Sequence, residues 1–421
     1  MPNSRDHIVS RRVVLGGAAA GVAGVAGAWL APGSPAHAAG GLPPGTIDRV
    51  VSRLDGELIE LRRALHRRPE VAGQEAWTAA TVAQRLREAG LDVTTGVGGH
   101  GVVGILTGAR RGRTVAYRAD MDAVPPGEQS GGGTEPAHVC GHDVHTTVGV
   151  GVALTLARLR ERLAGTVMFV FQPAEETLEG AAAMLADGVF ARGRPAEIHA
   201  LHCGPFPVGQ ILPAPGTGLP GLDRGLITLD SADAAQHLAA ELTALSTVSR
   251  PMTPADLERL VADIQTPHGP LSRFVFLNAQ AIEAQVRVSY RCWPENRWPE
   301  IRRQIHRLAR SAGNATVSFP NDPFPAMITP EREGRALRRY LRRTIGDDRT
   351  PTQYAAIPFN GEDFSLFLDR VPGTYSFLGV RAPGAPIENS APHFSTFDPD
   401  ERAIGHGVRA MAGWLSTRTQ P

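Results

Sequence analysis

The chain has 421 residues, a formal net charge of +1, 42% hydrophobic content and 20% charged content. That length exceeds one compact core and points to two domains. The balanced charge excludes nucleic acid as the main partner, since no basic excess exists to neutralise phosphates.

Residues 1–38 read as an export segment. Ser10-Arg11-Arg12-Val13-Val14-Leu15-Gly16 has the form of a twin-arginine signal, followed by an uncharged Gly/Ala-rich stretch from Val13 to Ala31. Ala36-His37-Ala38 then offers a small-x-small cleavage site. So many glycines and alanines make the run weakly hydrophobic, which favours a cleaved signal over a stable membrane span. The twin-arginine route carries proteins that are already folded. Three cysteines give no disulfide framework, and no spacing supports a Cys203–Cys292 bridge.

From Thr46, the positions Ile47, Val50, Val51, Leu54, Leu58, Leu61 and Leu65 keep helical spacing and predict one amphipathic helix. A second helix is expected over Thr78–Ala89, capped by Gly90. Short strands follow at Val102–Leu106 and Thr114–Tyr117, then a helix reaching about Leu163, a strand Thr166–Phe171, a helix through Met184 and a strand Ile198–His202. Pro205–Pro220 reads as a linker. Beyond it come a strand Leu226–Leu229, a helix carrying Leu238 and Leu242, and strands near Leu260–Ile264 and Ile282–Tyr290. A helix with Ile301 and Ile305 and a strand Ala315–Phe319 complete a βαββαβ, ferredoxin-like order. A helix Glu331–Ile345, a strand Thr374–Val380 and a helix Asp400–Trp414 return to the first block. The expected fold is α/β: a large helix-covered sheet over 45–215 and 326–418, with the ferredoxin-like unit inserted at 216–325.

His138 to His145 (His-Val-Cys-Gly-His-Asp-Val-His) packs three imidazoles, a thiol and a carboxylate into eight positions. A turn through Gly141 can point Cys140 and His142 at one centre, and sulfur with imidazole suits a borderline divalent ion. Glu175-Glu176 follow the apolar run Thr166–Phe171, where open sheets place their chemistry. One glutamate can ligate a metal while its neighbour acts as a general base. Taken singly, a buried cysteine or a solvated pair of glutamates explains either motif. Together, with further histidines at strand and loop ends, they point to a metallohydrolase.

Seven motifs in order resemble the M20 metallopeptidase superfamily, in its amidohydrolase branch of hippurate hydrolases, N-acyl-amino-acid amidohydrolases and auxin-conjugate hydrolases. They are Leu65-His66-Arg67-Arg68-Pro69-Glu70, Arg118-Ala119-Asp120-Met121-Asp122-Ala123-Val124-Pro125, Cys140-Gly141-His142-Asp143 with His145, and Gln172–Glu176. Leu201-His202, Gly361-Glu362-Asp363-Phe364, and His393 with Phe397 and Glu401 complete the set.

The resemblance implies two divalent ions (zinc, manganese, cobalt or nickel), ligated by Cys140, His142, Glu176, His202 and His393, with Glu175 as general base. Asp120 and Asp122 would orient ligand imidazoles; His138 and His145 are not assigned as ligands. The implied substrate is an N-acyl amino acid, peptide or similar conjugate, and the implied partner a second copy, joined through the inserted domain. A dipeptidase or carboxypeptidase, or a relative that binds metal without turnover, are the alternatives. Two departures stand out. The histidine-bearing loop that opens the branch's inserted domain is missing near Asp230, where His237 is a poor substitute. The branch's Asn-x-Ile-Pro becomes Asn278-Ala279-Gln280-Ala281, although Asn278 itself and Arg291 keep positions that bind substrate in the branch.

Overall fold

The computed structural model describes residues 40–421, so the export signal expected over 1–38 lies outside the described residues. Strands β1 (Asp92–Val97), β2 (Gly101–Thr107), β3 (Arg110–Asp120), β4 (Ala164–Gln172), β5 (Ile198–Pro207) and β6 (Ile211–Pro213) come first. Next are β7 (Gly218–Leu219), β8 (Asp223–Thr228), β9 (Phe274–Ile282), β10 (Gln285–Trp293), β11 (Thr316–Ser318), β12 (Met327–Ile328) and β13 (Gly373–Arg381).

The larger sheet has the order β1-β2-β4-β3-β5-β13-β6. Its four central strands, β4, β3, β5 and β13, run parallel. Residues 167–172 of β4 are all buried, as expected for a strand covered on both faces, where apolar side chains run continuously instead of alternating. The helix His142–Arg158 crosses between β3 and β4 on one face; Met168, Val170, Ala200 and Phe377 fill the other.

The smaller sheet has the order β11-β8-β10-β9, with all neighbours antiparallel. It is the ferredoxin-like unit expected from the sequence. Val275, Leu277, Val286, Val288 and Tyr290 pack one face against the helices Ala232–Thr243 and Trp298–Ser311. The other face carries Arg224, Phe276, Asn278, Ser289 and Arg291, which follow by alternation.

Several expectations need correction. Leu260–Ile264 is no strand but the end of a helix, Pro254–Ile264, started by a capping box between Thr253 and Asp256. The missing strand is β9, which hairpins into β10 through Glu283 at φ +52°. The opening helix is two helices, Pro44–Val51 and Asp55–His66, broken between them. The expected linker is partly sheet, since β5 runs on to Pro207 and β6 pairs with β13. Among the described residues no helix is long and apolar enough to cross a membrane.

Candidate metal centre

Because β3, β4 and β5 are parallel, their carboxyl ends share one rim of the sheet, the place where open α/β sheets bind ligands. Asp120 ends β3, Gln172 ends β4, and His202 lies at the middle of β5. Gly141, at φ +90°, turns the chain into the helix that begins at His142. A Cβ there would stand 2.8 Å from Cys203 Sγ, so both conformation and space demand glycine.

The donor atoms of Cys140, His142 and His202 lie within 4.8 Å of one another, as do those of Cys140, Glu176 and His393. Cys140 belongs to both triads. Its Sγ is 3.4 Å from His202 Nε2. Glu176 spans the two triads, with Oε1 3.6 Å from His142 Nε2 and Oε2 3.4 Å from His393 Nε2. Glu175 joins His142 and Glu176 in a further group.

These residues fit divalent cations on two counts. Buried polar atoms are normally hydrogen-bonded, yet both ring nitrogens of His142 and Oε1 of Glu176 have no hydrogen-bond partner. A thiol, three imidazoles and a carboxylate also form a donor set suited to borderline metals.

Neighbouring groups decide which imidazoles can ligate. His202 Nδ1 donates to Cys203 O at 2.8 Å, leaving the Nε2 lone pair facing Cys140. His145 is engaged at both nitrogens: Nε2 accepts from Cys203 N at 2.7 Å, and Nδ1–H donates to Asp120 Oδ1 at 2.6 Å. His145 is therefore not available as a ligand. Asp120 orients His145 rather than a member of either triad, whereas Asp122 Oδ1 stands 3.3 Å from His142 Nδ1.

The turn bearing the glutamates is held by two buried carboxylates. Asp122 accepts from Glu175 N at 3.1 Å and Glu176 N at 3.0 Å. Glu75 accepts from Ala174 N at 2.8 Å, beside the left-handed φ of +52° at Ala174. Sequence reasoning missed Glu75. Its only signal was its place at the start of the helix Ala76–Glu88, and its complete burial could not be read from the chain.

Behind the rim, fully buried Arg118 ties the carboxylates together. It donates to Gln172 Oε1 at 2.8 Å, Asp120 Oδ2 at 2.5 Å and Glu362 Oε1 at 2.8 Å, while Gln172 Nε2 reaches Asp363 at 2.7 Å. Glu362 also accepts from Tyr375 OH at 2.9 Å. Burial, then Glu362, Glu176 and Asp363, push Glu175 well above the usual carboxylate range, with Arg118 opposing. Burial raises Asp363 to about 8. Burial and the surrounding carboxylates also push the Cys140 thiol well up, so thiolate formation there calls for a cation. Burial would lower His142, but Asp120, Asp122 and Glu176 outweigh it and raise it to about 10. His138, buried with both nitrogens unpartnered, is lowered by burial to about 4.

Arg291, on β10, lies over the rim. Its Nη1 donates to Pro220 O at 3.2 Å and Gly221 O at 3.3 Å, and a Cβ on Gly361 would meet it at 2.8 Å. Asn278 is exposed on β9 and makes no side-chain hydrogen bond among the described residues. β8 leads to the helix Ala232–Thr243 with no room for a loop, and His237 is exposed beside Glu241.

Compared with known proteins, residues 116–417 match the model of Peptidase family M20/M25/M40. The chain belongs to that family. "Probable hydrolase sll0100" of Synechocystis is 32% identical over 384 residues, covering 85% of this chain and 95% of the relative. The N-acetyldiaminopimelate deacetylase of Limosilactobacillus reuteri is 30% identical over 395 residues, covering 86% and 98%. The YxeP protein of Bacillus subtilis, a dinuclear metal binding peptidase of the M20 family, superposes with a TM-score of 0.66 at 26% identity, covering 87% and 98%. This M20 chain is thus a hydrolase, with its triads at the rim of the larger sheet.

Proposed function

We propose that this M20 hydrolase is an exported two-metal amidohydrolase that cleaves the amide bond of N-acyl amino acids or similar small conjugates. The observation that carries the reading is Cys140 shared between two donor triads, with Glu175 beside both. Cys140, His142 and His202 would hold one divalent ion, and Cys140, Glu176 and His393 the other. Zinc, manganese, cobalt and nickel all suit these donors. When bound, such ions supply Lewis-acid polarisation of the carbonyl and acidify a nearby water.

Glu175 takes the proton of the attacking water and returns it to the departing amine. Burial and the neighbouring carboxylates raise its affinity for protons, which favours holding the abstracted proton until the amine departs. Asp122 and Glu75 fix the turn that aims it. Arg291 binds the carboxylate of the leaving amino acid. Without the branch's histidine loop one donor to the developing oxyanion is absent, and loss of such a donor costs about 10²–10³ in rate. Slow turnover of ordinary N-acyl amino acids is therefore expected. The deacetylase name of one relative supports acyl-amine cleavage. We place the inserted domain at 216–325 and assign it pairing with a second copy of the chain.

The test is turnover of N-acetyl and N-benzoyl amino acids and of dipeptides by the metal-reconstituted full chain. Release of the free amino acid from the acyl substrates supports the reading. Cleavage of dipeptides alone would make it a dipeptidase, and metal binding without turnover a non-catalytic relative.

A further inference from the structure

The strands of the smaller sheet carry Arg224, Arg287 and Arg291 on the open face, and Arg250 reaches that face from the loop after the helix Ala232–Thr243. None has an acidic partner among the described residues, and Arg224, Arg250 and Arg291 gather at the Phe276 end, away from Arg287. Arg291 pairs across the hairpin with Phe276, and Arg224 pairs with Ser289, two residues before Arg291 on the same strand and face. Arg250 lies with its guanidinium carbon 5.5 Å from the centre of the Phe276 ring. Phe276 itself packs edge-on against Phe359, ring centres 5.0 Å apart. Cross-strand and diagonal neighbours on one face lie within reach of long side chains, so the three guanidinium groups surround one small region.

That region adjoins the metal centre. Arg291 touches Gly361, and the next residues, Glu362 and Asp363, have carboxylate oxygens within 4.8 Å of Glu175. On the opposite side of β10, by contrast, Arg302 is tied to Asp223 and Arg297 to Glu300. Among the described residues Arg224, Arg250 and Arg291 have no salt bridge, although Arg291 is held by two backbone carbonyls. Burial, then Arg224 and Arg250, lower Arg291 to about 10. Like charges gathered at the mouth of a site, without counter-ions, attract a ligand of opposite sign.

We infer that this arginine cluster selects substrates whose amino-acid half carries a second carboxylate, with Arg291 on the α-carboxylate and Arg224 and Arg250 on the side-chain carboxylate. This rests on the amidohydrolase reading. The substrate class is then the N-acyl acidic amino acids, such as N-acyl glutamate or aspartate. Arginine suits the role, because its planar fork meets a carboxylate in a fixed bidentate geometry. The exposed pair also makes recognition sensitive to salt.

N-acetylglutamate and N-acetylglutamine differ in one charge at nearly equal size, so they isolate the claim. Binding is measured by titration calorimetry on the metal-loaded full chain carrying Glu175→Gln, which removes turnover from the readout. N-acetylglutamate should bind about tenfold to a hundredfold more tightly, the scale of hydrogen bonds to a charged group. Arg224→Ala and Arg250→Ala should each pull that ratio toward one, Arg250→Glu further still, and 0.5 M NaCl should shrink it. Equal affinity for the two ligands, no binding of either, or a ratio unmoved in both alanine variants overturns the inference. If wild type hydrolyses neither ligand while the affinity difference stands, the reaction assignment fails and the anion selectivity survives.

Discussion

The rim of the larger sheet and the open face of the smaller one solve opposite problems. At the rim, Cys140, His142, Glu175, Glu176 and His202 are buried or nearly so, and Asp122, Glu75 and Arg118 fix them in turn. On the smaller sheet, Arg224, Arg250 and Asn278 are exposed. The first region concentrates carboxylates, which favours cations; the second gathers arginines, which favours anions. Chemistry that must be held to a fraction of an ångström is built on parallel strands and backed by a second layer of hydrogen bonds. Selection of a substrate charge, as proposed for the smaller sheet, tolerates a more exposed surface.

The comparison breaks most visibly at Glu175. Glu175→Gln keeps the size of the side chain and leaves both triads whole, so metal should be retained while kcat falls by about 10²–10⁴, the range for general acid–base catalysis. Steady-state kinetics with elemental analysis on one preparation checks both halves. On the other side of the comparison, Arg291→Ala should act on substrate binding. An increase in KM of roughly tenfold to a hundredfold is expected from losing a charge-assisted hydrogen bond, with metal content unchanged. Asn278→Ala, on the same face beside Ser289, should raise KM by a smaller factor of about three to tenfold, the scale of one neutral hydrogen bond to substrate.

Glu75 sharpens the contrast between a fixed and an open region. Glu75→Ala leaves Ala174 N–H without its acceptor next to a left-handed backbone position. That should cost about 1–3 kcal/mol of stability and lower kcat with KM nearly constant. Glu75→Gln retains an acceptor oxygen and should recover most of both. Equal damage from the two variants in thermal unfolding and kinetics would reduce Glu75 to a packing residue.

The fold was legible where periodicity was long and unbroken. The strand Thr166–Phe171 and the helix after the Cys/His cluster stand nearly as expected. It was illegible where a short apolar run fits either period. Leu257, Leu260, Val261 and Ile264 have helical spacing, and the capping box at Thr253 started a helix where a strand was expected. Phe274–Ile282 was overlooked because its outward positions, Asn278 and Gln280, are polar on an open face. For the site, motif order named residues whose donor atoms the fold gathers into two triads. That Asp120 serves His145, and that Glu75 reaches Ala174 from 99 residues away, depends on tertiary packing that no local pattern encodes.

The smallest expected effect lies at the far end of the larger sheet. Burial alone would raise Glu197, but hydrogen bonds from His199 and Arg418 hold it well below the usual carboxylate range. A depressed folded-state value contributes stability above the unfolded value of about 4.3 that is lost as pH falls further. Melting temperature measured against pH should therefore show Glu197→Gln less stable than wild type at neutral pH, with the gap closing below about pH 4.

The shared thiol is tested most directly by metal stoichiometry. Elemental analysis of the reconstituted chain should give two divalent ions per molecule. His202→Ala and His393→Ala should each remove one preferentially, since each histidine belongs to a single triad. Cys140→Ser should weaken both, because a serine hydroxyl is a far poorer anionic ligand. Two ions retained with unchanged affinity in Cys140→Ser would contradict the account.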